Sequence, residues 1–186
     1  MTPVRARRER PALDHKKLEE LALRYVERFA TTRAKLRVYL GRKLRERGWS
    51  GEGEPDLAAI AERFASLGYI DDAAYALSSA RSVAGRGYGK RRLIQKLRIA
   101  GVEQADGEDA RAHADDEAVS SALRFAERRR LGPFASVPYR DPRDRDKALA
   151  AMIRAGHGFD LARAILGIEP GSEIDLDQLS DRASRR

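Results

Sequence analysis

Residues 90–102 read Lys90-Arg91-Arg92-Leu93-Ile94-Gln95-Lys96-Leu97-Arg98-Ile99-Ala100-Gly101-Val102. Two leucines stand four apart, cations fill many of the remaining positions, and a glycine closes the segment. Apolar residues at that spacing draw a single stripe along an α-helix. Glycine most easily adopts the left-handed conformation that stops one. The same pattern occurs 53 positions earlier, where Leu40, Leu44, Gly48 and Trp49 match Leu93, Leu97, Gly101 and Val102. The earlier copy, Arg33–Arg47, adds Leu36 to its stripe and has Thr31 or Thr32 available as an N-cap. A restart at this distance is the mark of a helical repeat array, in which each unit buries its apolar face against a neighbour.

The segments between and beyond the two copies are also helical in pattern. Pro55 and Asp56 open a helix with Leu57, Ile60, Ala61, Phe64 and Leu67 on one stripe, ended by Gly68. A further helix follows the N-cap candidate Asp71 and directs Ala73, Ala76, Leu77, Ala80 and Val83 inward. Ala105–Arg130 reads as an acidic helical stretch with Val119, Ala122, Leu123 and Ala126 inside. A third, weaker copy spans Asp146–Phe159, with Leu149, Met152 and Ile153 before Gly156-His157-Gly158-Phe159, and a short helix, Asp160–Leu166, follows. No segment alternates with period two for long enough to make a sheet. The expected fold is all-α. Its expected divisions are a basic N-terminal arm (1–19), a first repeat with a leading helix (20–85), a second repeat (86–131), a proline-rich loop (132–143), a third, shorter unit (144–168) and a frayed tail (169–186).

The chain has 186 residues, 42% of them hydrophobic, which is enough for a packed core. Aromatics contribute only 6%, so that core is built from Ala, Leu, Ile and Val. There is no cysteine, which excludes a disulfide scaffold, a zinc–cysteine site and a cysteine nucleophile. No apolar run approaches the roughly 20 residues needed to cross a bilayer, and the basic start lacks the apolar stretch of a secretory signal. The expectation is a monomeric cytoplasmic protein that does not engage membranes.

The net charge of +8 raises the prior for an anionic partner. Arginine and alanine each occur 30 times, a joint enrichment that a GC-rich genome produces without functional selection. Codon bias does not place charge at a spacing, however. Residues 1–50 carry a net +9, 51–82 carry −4, 83–102 carry +6, 103–123 carry −6, 124–163 carry +5 and 164–186 carry −2. Basic helices alternate with acidic ones. This concentrates positive charge on Arg33, Lys35, Arg37, Arg42, Lys43, Arg45 and Arg47, and on Arg86, Lys90, Arg91, Arg92, Lys96 and Arg98. Arg128, Arg129 and Arg130 support them. Charge-covered helices are often no more than soluble faces. Displacement of the counter-charges to other helices is what a phosphate backbone or an acidic protein groove would select, and these cations are the candidate contact residues.

Other chemistries find little support. The run Gly85-Arg86-Gly87-Tyr88-Gly89-Lys90 lacks the spacing, the Ser/Thr and the preceding strand of a phosphate loop. It reads as a tight helix-to-helix connection, beyond which a basic helix N-terminus could hold an anion. Asp71-Asp72 and Asp115-Asp116-Glu117 point in diverging directions on a helix and read as a cap and a solvated face rather than as metal or acid–base carboxylates. His15, His113 and His157 lie in separate segments without an i, i+4 partner, so no zinc site is expected. No serine sits in a nucleophile elbow. No catalytic residue, metal or cofactor is expected.

Leu67-Gly68-Tyr69-Ile70-Asp71-Asp72-Ala73-Ala74-Tyr75-Ala76, then Arg81, then Gly87-Tyr88-Gly89-Lys90-Arg91-Arg92-Leu93, resembles the core signature of the RecX family, bacterial regulators of the RecA recombinase. The resemblance extends over residues 20–167 and takes in Phe125-Ala126-Glu127-Arg128-Arg129-Arg130-Leu131-Gly132-Pro133 and Gly156-His157-Gly158-Phe159. The third unit departs from the family's usual pattern in its Gly156-His157-Gly158 run and the proline-rich insertion before it. The resemblance implies an elongated, curved array of tandem three-helix repeats. It also implies binding in the groove of the RecA–DNA filament and modulation, with inhibition the expected direction, of ATP hydrolysis, strand exchange and co-protease activity. Single- or double-stranded DNA is the second implied partner, held weakly alone. A helical protein acting on nucleic acid directly is the alternative reading.

Overall fold

The computed structural model describes residues 11–184, so the first ten residues of the expected basic arm lie outside the described part. The described residues form ten α-helices and one short 3-10 turn, with no strand beyond an isolated bridge between Leu13 and Trp49. The all-α expectation holds. None of these helices is long and apolar enough to cross a membrane. The chain divides into two compact units at Asp71/Asp72.

The first unit contains α1 (His15–Arg28), α2 (Arg33–Arg47) and α3 (Leu57–Ser66). Each starts on a side chain able to accept its orphan N–H groups. The Asp14 carboxylate accepts from the Lys17 N–H at 2.8 Å, Thr32 from Lys35 at 3.1 Å, and Asp56 from both Ala58 and Ala59 at 2.9 Å. Hydrogen bonds from Lys17, side chain first and then backbone, hold the Asp14 carboxyl below the usual carboxylate range. Gly48, with φ of +76°, ends α2. Leu18, Ala22, Leu36, Leu40, Ala61, Phe64 and Ile70 form the core together with Leu13. Leu13 precedes α1 yet is fully buried, because its N–H donates to the Gly48 carbonyl and its own carbonyl accepts from Ser50. The segment expected as an arm over 1–19 is therefore folded structure from Leu13 onward. Leu44 is only half-buried, and Leu67, expected on the inner stripe of α3, is exposed because the helix has already ended at Ser66.

The second unit contains α4 (Asp72–Gly85), α5 (Lys90–Ala100), α6 (Glu108–Asp116), α7 (Ala118–Arg129), the 3-10 turn Gly132–Phe134, α8 (Pro142–Arg154), α9 (Phe159–Gly167) and α10 (Leu176–Ser184). The sequence grouped α4 with the first repeat. In the structure its Ala76, Ala80 and Val83 share a core with Leu93 and Leu97 of α5 and Ala110 and Ala114 of α6. Alanines on both α4 and α6 let the two helices pack closely, and these two share the most extensive contact in the chain. The long acidic stretch is broken at Glu117, so α6 and α7 face different cores. A second core joins Ala122, Phe125 and Ala126 of α7 to Ala148, Met152 and Ala155 at and near α8, Leu161, Ala162, Ile165 and Leu166 of α9, and Leu179 of α10.

One further expectation is corrected here. The tail is not frayed throughout: Asp175 caps α10 through the Gln178 N–H at 2.9 Å, and Leu179 is buried. A single buried leucine per helix leaves no apolar period to read. The proline-rich loop is also tied down. Gly132 donates to the Tyr139 hydroxyl at 3.2 Å, and Gly171 donates to the Pro133 carbonyl at 2.9 Å.

The α4–α5 and α8–α9 connections touch backbone to backbone. The Gly89 N–H donates to the Ala155 carbonyl at 3.0 Å, and the Arg91 N–H donates to the Gly156 carbonyl at 3.2 Å. A Cβ on Gly89 would lie 2.3 Å from the Gly156 oxygen. No side chain yields there, since the obstacle is main chain. Gly89→Ala should therefore cost more than a surface substitution, about 2 kcal/mol or more by urea unfolding. A loss below about 0.5 kcal/mol would show that the junction opens freely.

Candidate functional site

Arg86, Tyr88, Lys90, Arg91 and Arg92 leave one short loop and the helix that follows it. The loop is shaped by Gly87, whose φ of +71° favours glycine and whose Cβ would lie 3.0 Å from the Phe125 amide nitrogen. That close approach lays the loop against α7 and brings Arg128 to it from some 40 positions away. The Arg92 guanidinium carbon lies 4.6 Å from the Tyr88 ring centroid, and that of Arg128 lies 5.8 Å from the same ring. Arg128 and Arg129 stand 5.7 and 5.8 Å from the Phe125 centroid. Arg128 donates to the Arg86 carbonyl at 2.7 Å, and the Arg86 guanidinium donates to the Ser82 carbonyl and hydroxyl at 3.1 and 3.2 Å. Among the described residues, none of these four arginines is ion-paired to a carboxylate.

A cluster of like charges in water is tolerable because each repulsion is small, about 1 kcal/mol at 4 Å. Ring faces and carbonyls supply the neutral partners. The result is an exposed cationic patch with its geometry set and its charge uncompensated. Such a patch can hold the oxygens of a phosphate or a carboxylate.

The remaining sequence-selected cations divide by what they touch. Lys90 is bound to both Asp115 oxygens, so its charge is neutralised from α6. Asp115 is thus an ion-pair partner rather than merely a solvated residue. Arg91 is exposed at the rim of a cavity of about 530 Å3 that Phe159 and Arg182 also line. The start of α5 is not an open anion site, because the Arg91 N–H is occupied by the Gly156 carbonyl. Lys96 is half-buried and Arg98 exposed. Arg130 caps α7 with a φ of 54°, in the left-handed region, and its backbone role is distinct from the patch.

On α2, Arg33 reaches Glu62 at 3.3 Å, and Arg42 and Lys43 both approach Glu46. Arg47 donates twice to the Pro11 carbonyl, at 3.0 and 2.8 Å, and so clasps the segment before α1. Lys35 is half-buried at the capped first turn. Arg37 and Arg45 are exposed without a carboxylate partner among the described residues. Sequence reasoning missed Tyr88 and Phe125 as organising residues. The available signal was an aromatic ring between two glycines in a run of arginines.

Glu117 is held below its usual range by the Ser120 hydroxyl and then by Arg124. No group of three or more His, Asp or Glu side chains converges as a metal site among the described residues.

His157 anchors the loop from behind. It is 2% exposed, and its Nε2 lies 3.2 Å from the Gly87 carbonyl, which can only accept, so Nε2 carries the proton of the neutral ring. Burial pushes its pKa down from 6.5 to about 4 despite that hydrogen bond. The folded state thus binds a proton less readily than the unfolded one. Above pH 6.5 the ring is neutral in both states and contributes no pH dependence. As pH falls from 6.5 towards 4 the unfolded state gains the proton first, and about 3 kcal/mol of stability is lost. Denaturation midpoints should therefore fall steeply over that window in the wild type. His157→Gln should flatten the slope, whatever it does to stability at neutral pH.

No protein-family model matches the chain. It is 31% identical over 175 residues to a protein of Myxococcus xanthus named regulatory protein RecX, covering 90% of this chain and 91% of that one. A protein of the same name in Agrobacterium fabrum is 30% identical over 164 residues, covering 86% of each. The crystal structure of RecX from Lactobacillus salivarius superposes with a TM-score of 0.58 at 21% identity, over 81% of this chain and 93% of that one. That likeness is one of fold.

Proposed function

The chain belongs to the RecX family of regulatory proteins, and from that premise we propose that it docks on the RecA–DNA filament and lowers RecA's ATPase, strand-exchange and co-protease activities. It does so as a binding protein, with no chemistry of its own. The observation that carries this reading is the patch of Arg92, Arg128 and Arg129 around Tyr88 and Phe125. Three guanidinium groups are pre-positioned there without carboxylate partners among the described residues, so binding an acidic or phosphate-bearing surface breaks no existing ion pair. A pre-formed patch also avoids much of the ordering cost that long side chains otherwise incur on association. Arg37, Arg45, Arg91 and Arg98 are the further exposed cations available to such a surface. Lys90 contributes less directly, since Asp115 already holds it.

RecA ATP hydrolysis on single-stranded DNA, measured against increasing concentrations of this protein, tests the reading. The wild type should lower the rate. Arg92→Glu combined with Arg128→Glu should raise the half-maximal concentration by more than about tenfold, since like charges opposed across an interface cost several kcal/mol. Lys90→Gln should have a smaller effect. Unchanged potency of the double reversal, with helicity intact, would remove the patch from the docking surface.

A further inference from the structure

The C-terminal helix α10 builds one wall of a groove that the RecA reading does not use. Asp175 caps α10, and its Leu179 is buried in the core that holds Leu161 and Ile165 of α9, so this wall is fixed. Gln178 and Arg182 stand four apart on α10, while Asp160, Arg163 and Gly167 follow at three and four on α9, so each set shares one helix face. These residues line a groove of about 480 Å3 together with Arg145, which reaches in from α8. A Cβ on Gly167 would lie 3.5 Å from Nη2 of Arg145. That guanidinium therefore rests by the C-terminal end of α9, where the helix dipole favours a cation. All three arginines are exposed, and among the described residues none of them is ion-paired. Asp160 is the one carboxylate in the lining, and it too is unpaired among the described residues.

We propose that this groove binds a small oligophosphate, a short chain of linked phosphates held between Arg145, Arg163 and Arg182. Three guanidinium groups from three helices converge there against a single carboxylate. Each guanidinium fork can present two donors to the oxygens of one phosphate, and the Gln178 amide adds a neutral donor. A lone phosphate or carboxylate engages fewer of the forks and leaves the repulsion among the others in place. A nucleic-acid strand carries one charge on each phosphate, strung out along its length, and suits cations set in a row rather than gathered in a groove. A short phosphate chain concentrates several charges within reach of all three arginines. Inorganic tripolyphosphate and the triphosphate of a nucleotide share this chemistry. The site needs neither recombinase nor DNA, so it stands or falls independently of the patch around Tyr88.

The test is isothermal titration calorimetry of the full chain with tripolyphosphate, without recombinase or DNA, at fixed ionic strength. Saturable one-to-one binding is expected. Arg163→Gln and Arg182→Gln should each weaken it by about tenfold, the effect of one lost charge-assisted pair. Asp160→Asn should tighten it by about threefold, because the opposing charge is gone. Arg154→Gln removes the same charge from an exposed position on α8 outside the groove and should leave the affinity unchanged. All four positions are exposed, so the substitutions leave the core intact, and circular dichroism checks this. ATP bound with the same dependence on Arg163 would assign the groove to the phosphate chain of a nucleotide. Tripolyphosphate bound and ATP excluded would assign it to a free chain. Inorganic phosphate bound as tightly as tripolyphosphate would overturn the proposal. So would the lack of saturable binding, equal weakening by Arg154→Gln and Arg163→Gln, or displacement of tripolyphosphate by oligothymidylate at matched phosphate concentration.

Discussion

The peptide of Gly156 lies against the peptide of Gly89, and the second unit is organised around that contact. Gly89 donates to the Ala155 carbonyl, Arg91 donates to the Gly156 carbonyl, and His157 donates to the Gly87 carbonyl. Two connections far apart in sequence are thus joined at main-chain distance. Tyr88, between the two glycines, packs against both hydrophobic cores of the unit. Its ring is therefore held from below while Arg92 and Arg128 approach it. Any side chain at position 89 would part the two backbones and carry the tyrosine with it.

The patch owes its charge to sequence and its shape to that junction. Arginine suits this use better than lysine, since a guanidinium can rest on a ring face and still present donors outward. Lysine at position 90 reaches instead to a carboxylate and is neutralised. Thus, of the cations at 86, 90, 91, 92, 128 and 129, geometry rather than composition decides which remain available. The buried, neutral His157 beneath them contributes alignment and no charge at ordinary pH.

Much of the helical framework is legible in the sequence. Leucines at 36, 40, 93 and 97 are buried, and glycines at 48 and 101 stop their helices. Legibility ends where a helix is short or its inner face is made of alanine. α10 buries one leucine, so no period announced it. α4 and α6 meet through alanines, a residue equally at home outside, and the sequence assigned α4 to the wrong partners. The candidate site shows the same limit. Its cations could be named from charge blocks, but the pairing of Lys90 with Asp115, the clasp of Arg47 on Pro11 and the gathering of Arg128 onto Tyr88 depend on contacts between distant positions. The aromatics at 25, 29 and 39 lie at different places along a basic stretch, and only the packing of α1 on α2 stacks Tyr25 on Tyr39.

The central claim is that the face of the second unit bearing Arg92 meets the recombinase filament. Site-specific photo-crosslinking tests it most directly. Gln95 is exposed and stands about one turn beyond Arg92 on α5, while Val137 is an exposed position elsewhere in the unit. A photoreactive residue at Gln95 should crosslink to RecA or its DNA when the nucleoprotein filament is assembled, and the same residue at Val137 should not. Equal crosslinking from both positions, or none from Gln95 while inhibition persists, would contradict the account.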